Sequence, residues 1–308
     1  MKKKRIIFMG TPDIAKEYLD SLIKNNFNII ATYTQPPRKK GRGMRIQNSP
    51  VYEFSLANNI PIYTPINFTA EKTIEEFKAL KSDLAIVMGY GQLLPTDIIN
   101  TPTHGSINIH VSLLPRWRGA SPIEHAIMNG DTKTGISIIK LEKRLDAGPI
   151  ISKKIISIDK DITKGELIKE LNTLGTKLLI ETLPKFFDNK LFLEKQNESY
   201  ITYAKKINSE NRKINFNDDI EKVYNHIRAF SPNPSAWFFY KKERINIIKC
   251  SMEICDSQSS LVINDFFHIG CKNGKIIPQI LQREGKKSLE IKEFLKGFNF
   301  EVNHPVNE

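Results

Sequence analysis

The spacing of hydrophobic residues in the first 187 positions alternates between two periods. Short unbroken apolar runs, typical of buried strands, are separated by stretches in which apolar residues recur every three to four positions. The runs predict strands at 5–9, 29–34, 61–63, 84–89, 106–111 and 135–140, and the stretches predict helices at 14–23, 71–81 and 122–129. Strands alternating with helices favour an α/β, Rossmann-like domain with a mostly parallel sheet covered on both faces.

The pattern changes beyond residue 187. Residues 188–209 are polar with few periodic apolar positions, which predicts a linker. Ile220, Val223, Tyr224 and Ile227 then predict one helix, and short strands follow at 236–240, 244–249, 261–263 and 267–271. Such short strands with turn residues between them favour a small β-barrel. We therefore predict a first domain over 1–187, a linker over 188–209 and a second domain over 210–308.

Composition describes an ordinary globular chain. The 308 residues have room for two domains, and 40% hydrophobic with 26% charged residues excludes a disordered protein. No apolar run approaches the roughly 20 residues of a membrane span. The apolar run after the basic start ends at Gly10, too short for the core of a signal peptide. We expect a cytoplasmic monomer with no membrane partner.

The net charge of +12 is unevenly distributed along the chain. Between Thr34 and Pro50 there is no acidic residue and there are five cations, namely Arg38, Lys39, Lys40, Arg42 and Arg45. From Lys205 onward there are 17 basic and 13 acidic residues. A solvated basic surface explains the total, but it explains the acid-free segment less well. A polyanionic substrate such as a nucleic acid accounts for both.

The segment 106–111 carries the first candidate for chemistry. Asn108 and His110 lie two positions apart and are interleaved with branched apolar residues. Since side chains alternate faces along a strand, the amide and the imidazole share one face and the apolar side chains form core on the other. Ligands of parallel sheets bind at the carboxyl ends of strands, which is where this segment ends.

A second apolar run ends in Leu145-Asp146-Ala147-Gly148-Pro149, which brings a carboxylate to the end of a later strand. An amide that stabilises an oxyanion, an imidazole that moves a proton and a carboxylate that fixes its charge suit acyl transfer. Asn108, His110 and Asp146 are therefore the predicted catalytic residues. A structural histidine and a turn aspartate are the alternatives for His110 and Asp146 taken singly, and their combination argues against both.

Two further classes of site are not expected. The first turn, Gly10-Thr11-Pro12-Asp13, lacks the second and third glycines of a dinucleotide cradle, so we expect no NAD. The three cysteines and the histidines around them do not have zinc-ligand spacing, so we expect no metal.

Three motifs carry a resemblance to a known family, namely Asn108-x-His110-x-Ser112-Leu113-Leu114-Pro115, Arg118-Gly119-Ala120-Ser121-Pro122 and Leu145-Asp146-x-Gly148-Pro149. Together they resemble the formyltransferases that use 10-formyltetrahydrofolate. The start Phe8–Pro12, the Thr34–Pro36 segment and the segment from Ile201 to Ile207 resemble the branch that formylates methionyl-tRNA. Val111 departs from the family, where glycine is common, and we expect it to change local geometry rather than activity.

The resemblance implies an OB-like second domain that binds tRNA, and a first domain that binds 10-formyltetrahydrofolate as formyl donor. The implied donor-binding residues are Ser112, Leu113, Leu114 and Pro115, with Gly89, Tyr90 and Leu94 contacting the pterin largely through the backbone. The implied substrate is initiator methionyl-tRNA, contacted by the five cations of the acid-free segment. The product would be N-formylmethionyl-tRNA for translation initiation.

Two other functions remain open from the residues. A formyltransferase for an amino-sugar nucleotide or for glycinamide ribonucleotide would share the three catalytic residues, but it has no evident use for the acid-free basic segment. A non-catalytic RNA-binding protein would use the basic segment, but it does not need an amide, an imidazole and a carboxylate around one pocket. Arg116-Trp117-Arg118 is equally open, as a nucleic-acid contact or as a packed tryptophan with solvated arginines.

Overall fold

The computed structural model describes residues 3–40 and 45–307, without the side chains of Lys39, Lys40 and Arg45. The elements up to residue 140 are β1 (Arg5–Gly10), α1 (Asp13–Lys24), β2 (Asn28–Tyr33), β3 (Arg38–Lys40), β4 (Arg45–Gln47), α2 (Pro50–Ala57), β5 (Ile62–Tyr63), α3 (Glu71–Ala79), β6 (Leu84–Met88), α4 (Thr96–Asn100), β7 (Ser106–His110), β8 (Arg118–Gly119), α5 (Pro122–Met128) and β9 (Lys133–Lys140).

The remaining strands and α-helices are β10 (Ile150–Ser157), α6 (Lys164–Phe187), β11 (Tyr203–Ala204), α7 (Ile220–Phe230), β12 (Ala236–Tyr240), β13 (Glu243–Ile254), β14 (Ile269–Cys271), β15 (Gly274–Arg283), β16 (Ser288–Glu290) and α8 (Ile291–Lys296). Single turns of 3₁₀-helix occur at Glu198–Tyr200 and Glu210–Arg212. Among the described residues, no helix combines the length and the apolar character that a membrane crossing requires.

Contacts divide the chain into two compact units that are interleaved in sequence. The first contains residues 1–120, 135–156 and 170–203, and the second contains 121–134, 157–169 and 204–308. Residues 188–203, which the sequence predicts as linker, therefore pack with the first unit, and two earlier segments pack with the C-terminal residues. The functional division at residues 187 and 210 stays a prediction.

The first unit is built on a seven-stranded sheet with the order β10-β9-β7-β6-β1-β2-β5. β1 pairs in parallel with β2 and β6, and the parallel pairing continues from β6 to β7 and from β2 to β5. β7 and β9 pair antiparallel. Strands β1 and β6 are buried almost throughout, as expected for a sheet covered on both faces. The predicted mostly parallel α/β sheet is confirmed.

The second unit contains five antiparallel strands. β12, β13, β15 and β14 are neighbours in that order, and β16 pairs with β15. Val223 of α7 and Phe294 of α8 join the same apolar core as Phe238 of β12 and Phe267. Five antiparallel strands and a small apolar core confirm the small β domain that the sequence predicted, with the strand number of an OB fold.

Candidate active site

Strand β7 positions two of the three predicted catalytic side chains. Ile107 and Ile109 are 1% and 2% exposed and belong to the core, while Asn108 is half-buried and His110 is buried. The strand lies between β6 and β9, with Asn108 level with Val87 on one side. The alternation of the sequence therefore sets the amide and the imidazole on one side of the sheet, near its carboxyl edge.

Asp146 reaches these two side chains from the turn that precedes β10. The Asn108 Nδ2 atom donates to Asp146 Oδ1 at 3.1 Å, and the Gly119 backbone N–H donates to Oδ2 at 2.9 Å. His110 Nδ1 lies 3.7 Å from Oδ2. Asp146 has φ of 48°, a left-handed backbone conformation within that turn. The structure thus brings Asn108, His110 and Asp146 together around one carboxylate.

The protonation of His110 follows from its other contact. His110 Nε2 lies 2.8 Å from the carbonyl oxygen of Trp117. A carbonyl oxygen can only accept, so Nε2 carries the proton and a neutral His110 presents an unprotonated Nδ1. That atom faces the Asp146 carboxylate. A proton arriving at Nδ1 would create an imidazolium next to a negative charge, and this arrangement suits a base that holds a proton transiently.

Gln196 and Arg118 support the turn that carries Asp146. Gln196 Nε2 donates to the carbonyl oxygens of Asp146 and Gly148, both at 2.8 Å. Its Oε1 accepts from Arg118 Nε at 3.1 Å and from Nη2 at 2.7 Å. Both side chains are buried. Sequence reasoning missed Gln196, because it lies in the polar stretch that predicted a linker and no motif marks it.

The structure of the Arg116–Arg118 segment agrees only in part with the alternative of a packed tryptophan between solvated arginines. Trp117 is packed at 9% exposed, as one reading expected, and the Arg116 guanidinium lies 4.5 Å from the centroid of its ring. Arg118 is not solvated, since it is 1% exposed and pairs with Gln196. A buried guanidinium held by an amide does not reach a nucleic acid, so Arg118 belongs to the architecture of the Asp146 turn.

The predicted donor segment 112–115 follows directly from β7 and is pinned by hydrogen bonds. Ser112 is buried and its Oγ donates to the Arg116 carbonyl at 2.6 Å. Ser137 Oγ donates to the Ser112 carbonyl at 2.7 Å and accepts from the Leu114 N–H at 3.1 Å. Leu114 is buried, whereas Leu113 and Pro115 are partly exposed. This segment is therefore rigid backbone with two side chains left for a ligand.

The second donor segment follows β6, which is the parallel neighbour of β7, so both segments leave the same edge of the sheet side by side. The Tyr90 side chain is buried in the core, and its carbonyl oxygen accepts from Thr11 Oγ1 at 3.0 Å and from Gln35 Nε2 at 3.1 Å. Leu94 is half-buried against the same core. Gly89 is exposed, so its backbone is accessible, and its φ is 56°. Accessible backbone at the end of the strand next to β7 is compatible with the expected recognition of a pterin through main-chain groups.

The acid-free basic segment contains a short antiparallel ribbon, in which β3 pairs with β4 and Arg38 lies opposite Gln47. Arg38 is exposed, and its Nη2 donates to Gln35 Oε1. Arg42 lies outside the described residues, as do the side chains of Lys39, Lys40 and Arg45. Their role in binding stays a prediction.

The sequence predicts neither an NAD site at the first turn nor a metal site. A Cβ on Gly10 would lie 2.8 Å from the Ala15 Cβ, so this glycine allows α1 to pack closely on β1, a use that involves no nucleotide. Among the residues described, no group of three or more His, Cys, Asp or Glu side chains is arranged to hold a metal ion. The absence of NAD and of metal from the chemistry stays a prediction.

Comparison with known proteins places this site in a family. A family model described as "Formyl transferase" matches residues 4–183, and one described as "Formyl transferase, C-terminal domain" matches residues 206–299. A methionyl-tRNA formyltransferase of Wolbachia sp. subsp. Drosophila simulans (strain wRi) is 39% identical over 293 residues, covering 95% of this chain and 96% of that protein. One of Rhizobium etli is 39% identical over 297 residues, with the same coverage.

Solved structures share the fold at lower identity. An N-formyltransferase from Helicobacter canadensis, in complex with folinic acid and dTDP-3-aminofucose, superposes with a TM-score of 0.66 at 22% identity, over 91% of this chain and 99% of that one. HypX from Aquifex aeolicus in complex with tetrahydrofolic acid gives 0.67 at 16% identity, over 99% of this chain and 51% of that one. The two family models together span most of the chain, and Asn108, His110 and Asp146 lie within the residues matched by the first. We conclude that the chain belongs to the formyl transferase family.

Proposed function

We propose that the chain transfers the formyl group of 10-formyltetrahydrofolate to the free amino group of initiator methionyl-tRNA. Family membership and 39% identity to methionyl-tRNA formyltransferases over 95% of the chain support the reaction and its substrate. The observation that carries the proposal is the convergence of Asn108, His110 and Asp146 around one carboxylate. We also propose that the protein acts as a monomer in the cytoplasm, where translation initiates.

The roles of the three residues follow from their hydrogen bonds. As the amine nitrogen attacks the formyl carbon, the C–N bond forms and negative charge develops on the formyl oxygen. Asn108 donates one amide N–H to Asp146, and its second N–H is left for that oxygen. His110 Nδ1 takes the proton of the attacking amine, directly or through one water. The proton then passes to N10 of the folate as the bond from N10 to the formyl carbon breaks.

Asp146 acts through the other two residues and not on the formyl group itself. Its Oδ1 orients the Asn108 amide, and its Oδ2 attracts the imidazolium that forms at His110. The Gly119 N–H holds the carboxylate in this position. We propose that the folate lies along the two segments that follow β6 and β7, with residues 112–115, Gly89, Tyr90 and Leu94 at its surface. Bound there, the folate supplies the activated formyl group.

The donor site is tested by Gly89→Ala. A side chain at φ of 56° is strained by roughly 1–2 kcal/mol, and its Cβ would lie 3.0 Å from the Pro12 ring. We expect the KM for 10-formyltetrahydrofolate to rise about threefold to tenfold, with the KM for tRNA unchanged. Steady-state kinetics with each substrate varied gives both constants. Gly285→Ala, at another exposed left-handed glycine in the second unit, is the matched control. An unchanged donor KM would remove Gly89 from the donor site.

The basic segment is tested by salt dependence. Each phosphate contact releases counterions and contributes roughly 0.7–0.9 to the slope of log affinity against log salt. We expect Arg42→Ala to raise the KM for tRNA and to flatten that slope by nearly one contact, with the donor KM unchanged. Lys286→Ala and Lys287→Ala, on exposed residues of the second unit, remove the same charge elsewhere. Equal weakening of both substrates would indicate a folding defect, and an unchanged tRNA KM would make the segment ordinary surface.

Two other functions are separated by one assay. Formylation of methionyl-tRNA, of an amino-sugar nucleotide and of glycinamide ribonucleotide is measured with the same donor and the same enzyme preparation. Transfer to methionyl-tRNA alone supports the proposal. Transfer to a small amine alone would make the chain a small-molecule formyltransferase, and binding of tRNA without transfer to any acceptor would make it a binding protein.

A further inference from the structure

A cavity of about 470 Å³ lies wholly within the second unit. Its walls come from residues 160–166, from helix α7 and from strands β13 and β15. The volume falls in the range of small-molecule sites, roughly 300–1,000 Å³. None of its lining residues belongs to the catalytic trio or to the proposed donor segments. The cavity is therefore a candidate for a second binding site with its own ligand.

Arg228, on α7, is the most informative residue of the cavity wall. It is 5% exposed, its Nε donates to Asn225 Oδ1 at 2.8 Å, and its Nη1 lies 3.1 Å from the Ile162 carbonyl oxygen and 3.4 Å from that of Asp159. Within the described parts of the chain, Nη2 donates to no acceptor and no carboxylate oxygen contacts the guanidinium. A buried cation with neutral partners and a spare donor beside a cavity calls for an anion.

The charged residues that line the cavity carry more positive than negative charge. The ammonium groups of Lys160 and Lys249 add two cations at its exposed rim. Two carboxylates oppose them, and both are already engaged. Tyr224 Oη donates to Asp161 Oδ1 at 3.2 Å, and the Thr163 hydroxyl donates to Glu166 Oε2 at 2.6 Å. Asp161, and Asp159 outside the lining, attract Arg228 only at longer range. Three cations against two partnered acids favour a negatively charged occupant.

The geometry of the donors distinguishes between anions. A carboxylate prefers the planar, two-pronged fork of an arginine, but Nε and Nη1 of Arg228 are taken by protein acceptors. The Nη2 group is left, together with the side chains of Lys160 and Lys249 and the Ser251 hydroxyl on β13. Donors on four separate side chains, in place of one planar fork, suit a tetrahedral phosphate. Cys250, also on the wall, is not a competing nucleophile, because burial raises the pKa of its thiol.

We propose that this cavity binds a phosphate group through Arg228, Lys160 and Lys249, at residues that formyl transfer does not use. The phosphate could belong to the backbone of a tRNA or to a small phosphorylated metabolite, since both present the same charge and acceptors. The site would add either a substrate contact or a regulatory input to the second unit.

Thermal unfolding of the full chain in inorganic phosphate tests the site. Ionic strength is held constant with chloride, so that general screening is the same in every sample. We expect a saturable rise in Tm of about 1–4 °C, because a ligand that binds only the folded state stabilises it. Absence of a saturable, phosphate-specific rise in the wild-type chain would overturn the proposal.

Variants of the lining residues test whether the rise in Tm comes from phosphate bound in the cavity. Lys249→Ala removes an exposed cation from the rim, so the fold should survive, and we expect the half-saturating phosphate concentration to rise at least about fivefold. Lys222→Ala is the matched control, since Lys222 is an exposed lysine of α7 that pairs with Asp218 and does not line the cavity. Arg228→Lys should abolish the response where the variant folds. Equal responses in Lys249→Ala and wild type would place phosphate elsewhere.

The two sources of phosphate are distinguished by competition. If uncharged tRNA raises the half-saturating phosphate concentration in the wild-type chain, the site takes a backbone phosphate. If tRNA leaves that concentration unchanged while glucose 6-phosphate or AMP replaces inorganic phosphate, the site takes a metabolite. Both results support the phosphate site, and failure of every phosphorylated probe to compete with inorganic phosphate would contradict it.

Discussion

Asp146→Asn is expected to lower kcat by about 10³–10⁴-fold with little change in either KM. The carboxylate accepts two hydrogen bonds from two donors, the Asn108 amide and the Gly119 N–H. An asparagine has one oxygen, so its own NH₂ group would face one of these donors, and the charge beside His110 would be lost. Kinetics at saturating donor and tRNA, with Tm as a check on folding, measures the effect.

The same assay extends to the other two residues and to a control. We expect Asn108→Ala and His110→Ala to reduce kcat severely as well, because each removes a group to which we assign a role in the transfer step. Asp256→Asn makes the same chemical change at an exposed carboxylate of the second unit and should leave kcat unaltered. Near-native turnover in any one of the three site variants would remove that residue from the mechanism.

Gln196→Ala is expected to lower both the stability and kcat. The substitution leaves the buried Arg118 guanidinium without its acceptor and strips a donor from the carbonyls of Asp146 and Gly148. Leaving buried groups unsatisfied costs about 1–3 kcal/mol each, and more for a charged one, so we expect the free energy of unfolding to fall by about 3–5 kcal/mol. Denaturant unfolding measures the loss.

The effect of Gln196 on turnover separates a positioning role from a purely structural one. If Gln196 positions Asp146, kcat of the folded variant should fall at least about tenfold while both KM values stay near wild type. Gln258→Ala, at an exposed glutamine of the second unit, should change neither stability nor kcat. A destabilised variant with wild-type kcat would show that Gln196 supports the fold alone.

The sequence by itself predicted many of the strands and helices and the candidate catalytic residues, although it did not predict strand β10 or helix α6. Alternation along 106–111 placed Asn108 and His110 on one side of a strand, and the structure has that strand with Ile107 and Ile109 in the core. The order of strands and helices predicted a mostly parallel sheet, whose carboxyl edge is where β6 and β7 lie side by side. These features are local or repeat along the chain, so a period of two or of 3.6 residues is sufficient to show them.

Tertiary structure decided which distant groups support the site. Gln196 lies 50 residues from Asp146 in sequence, and only folding brings its amide to that turn. The sequence alone suggests that Arg118 is a surface cation. It is buried in the structure, where its guanidinium donates to Gln196 Oε1, 78 residues away in sequence. The same holds for residues 121–134 and 157–169, which pack with the C-terminal residues although they lie inside the first domain by sequence. Such contacts depend on the hydrogen-bond partners and packing surfaces that meet at long range, which no local pattern records.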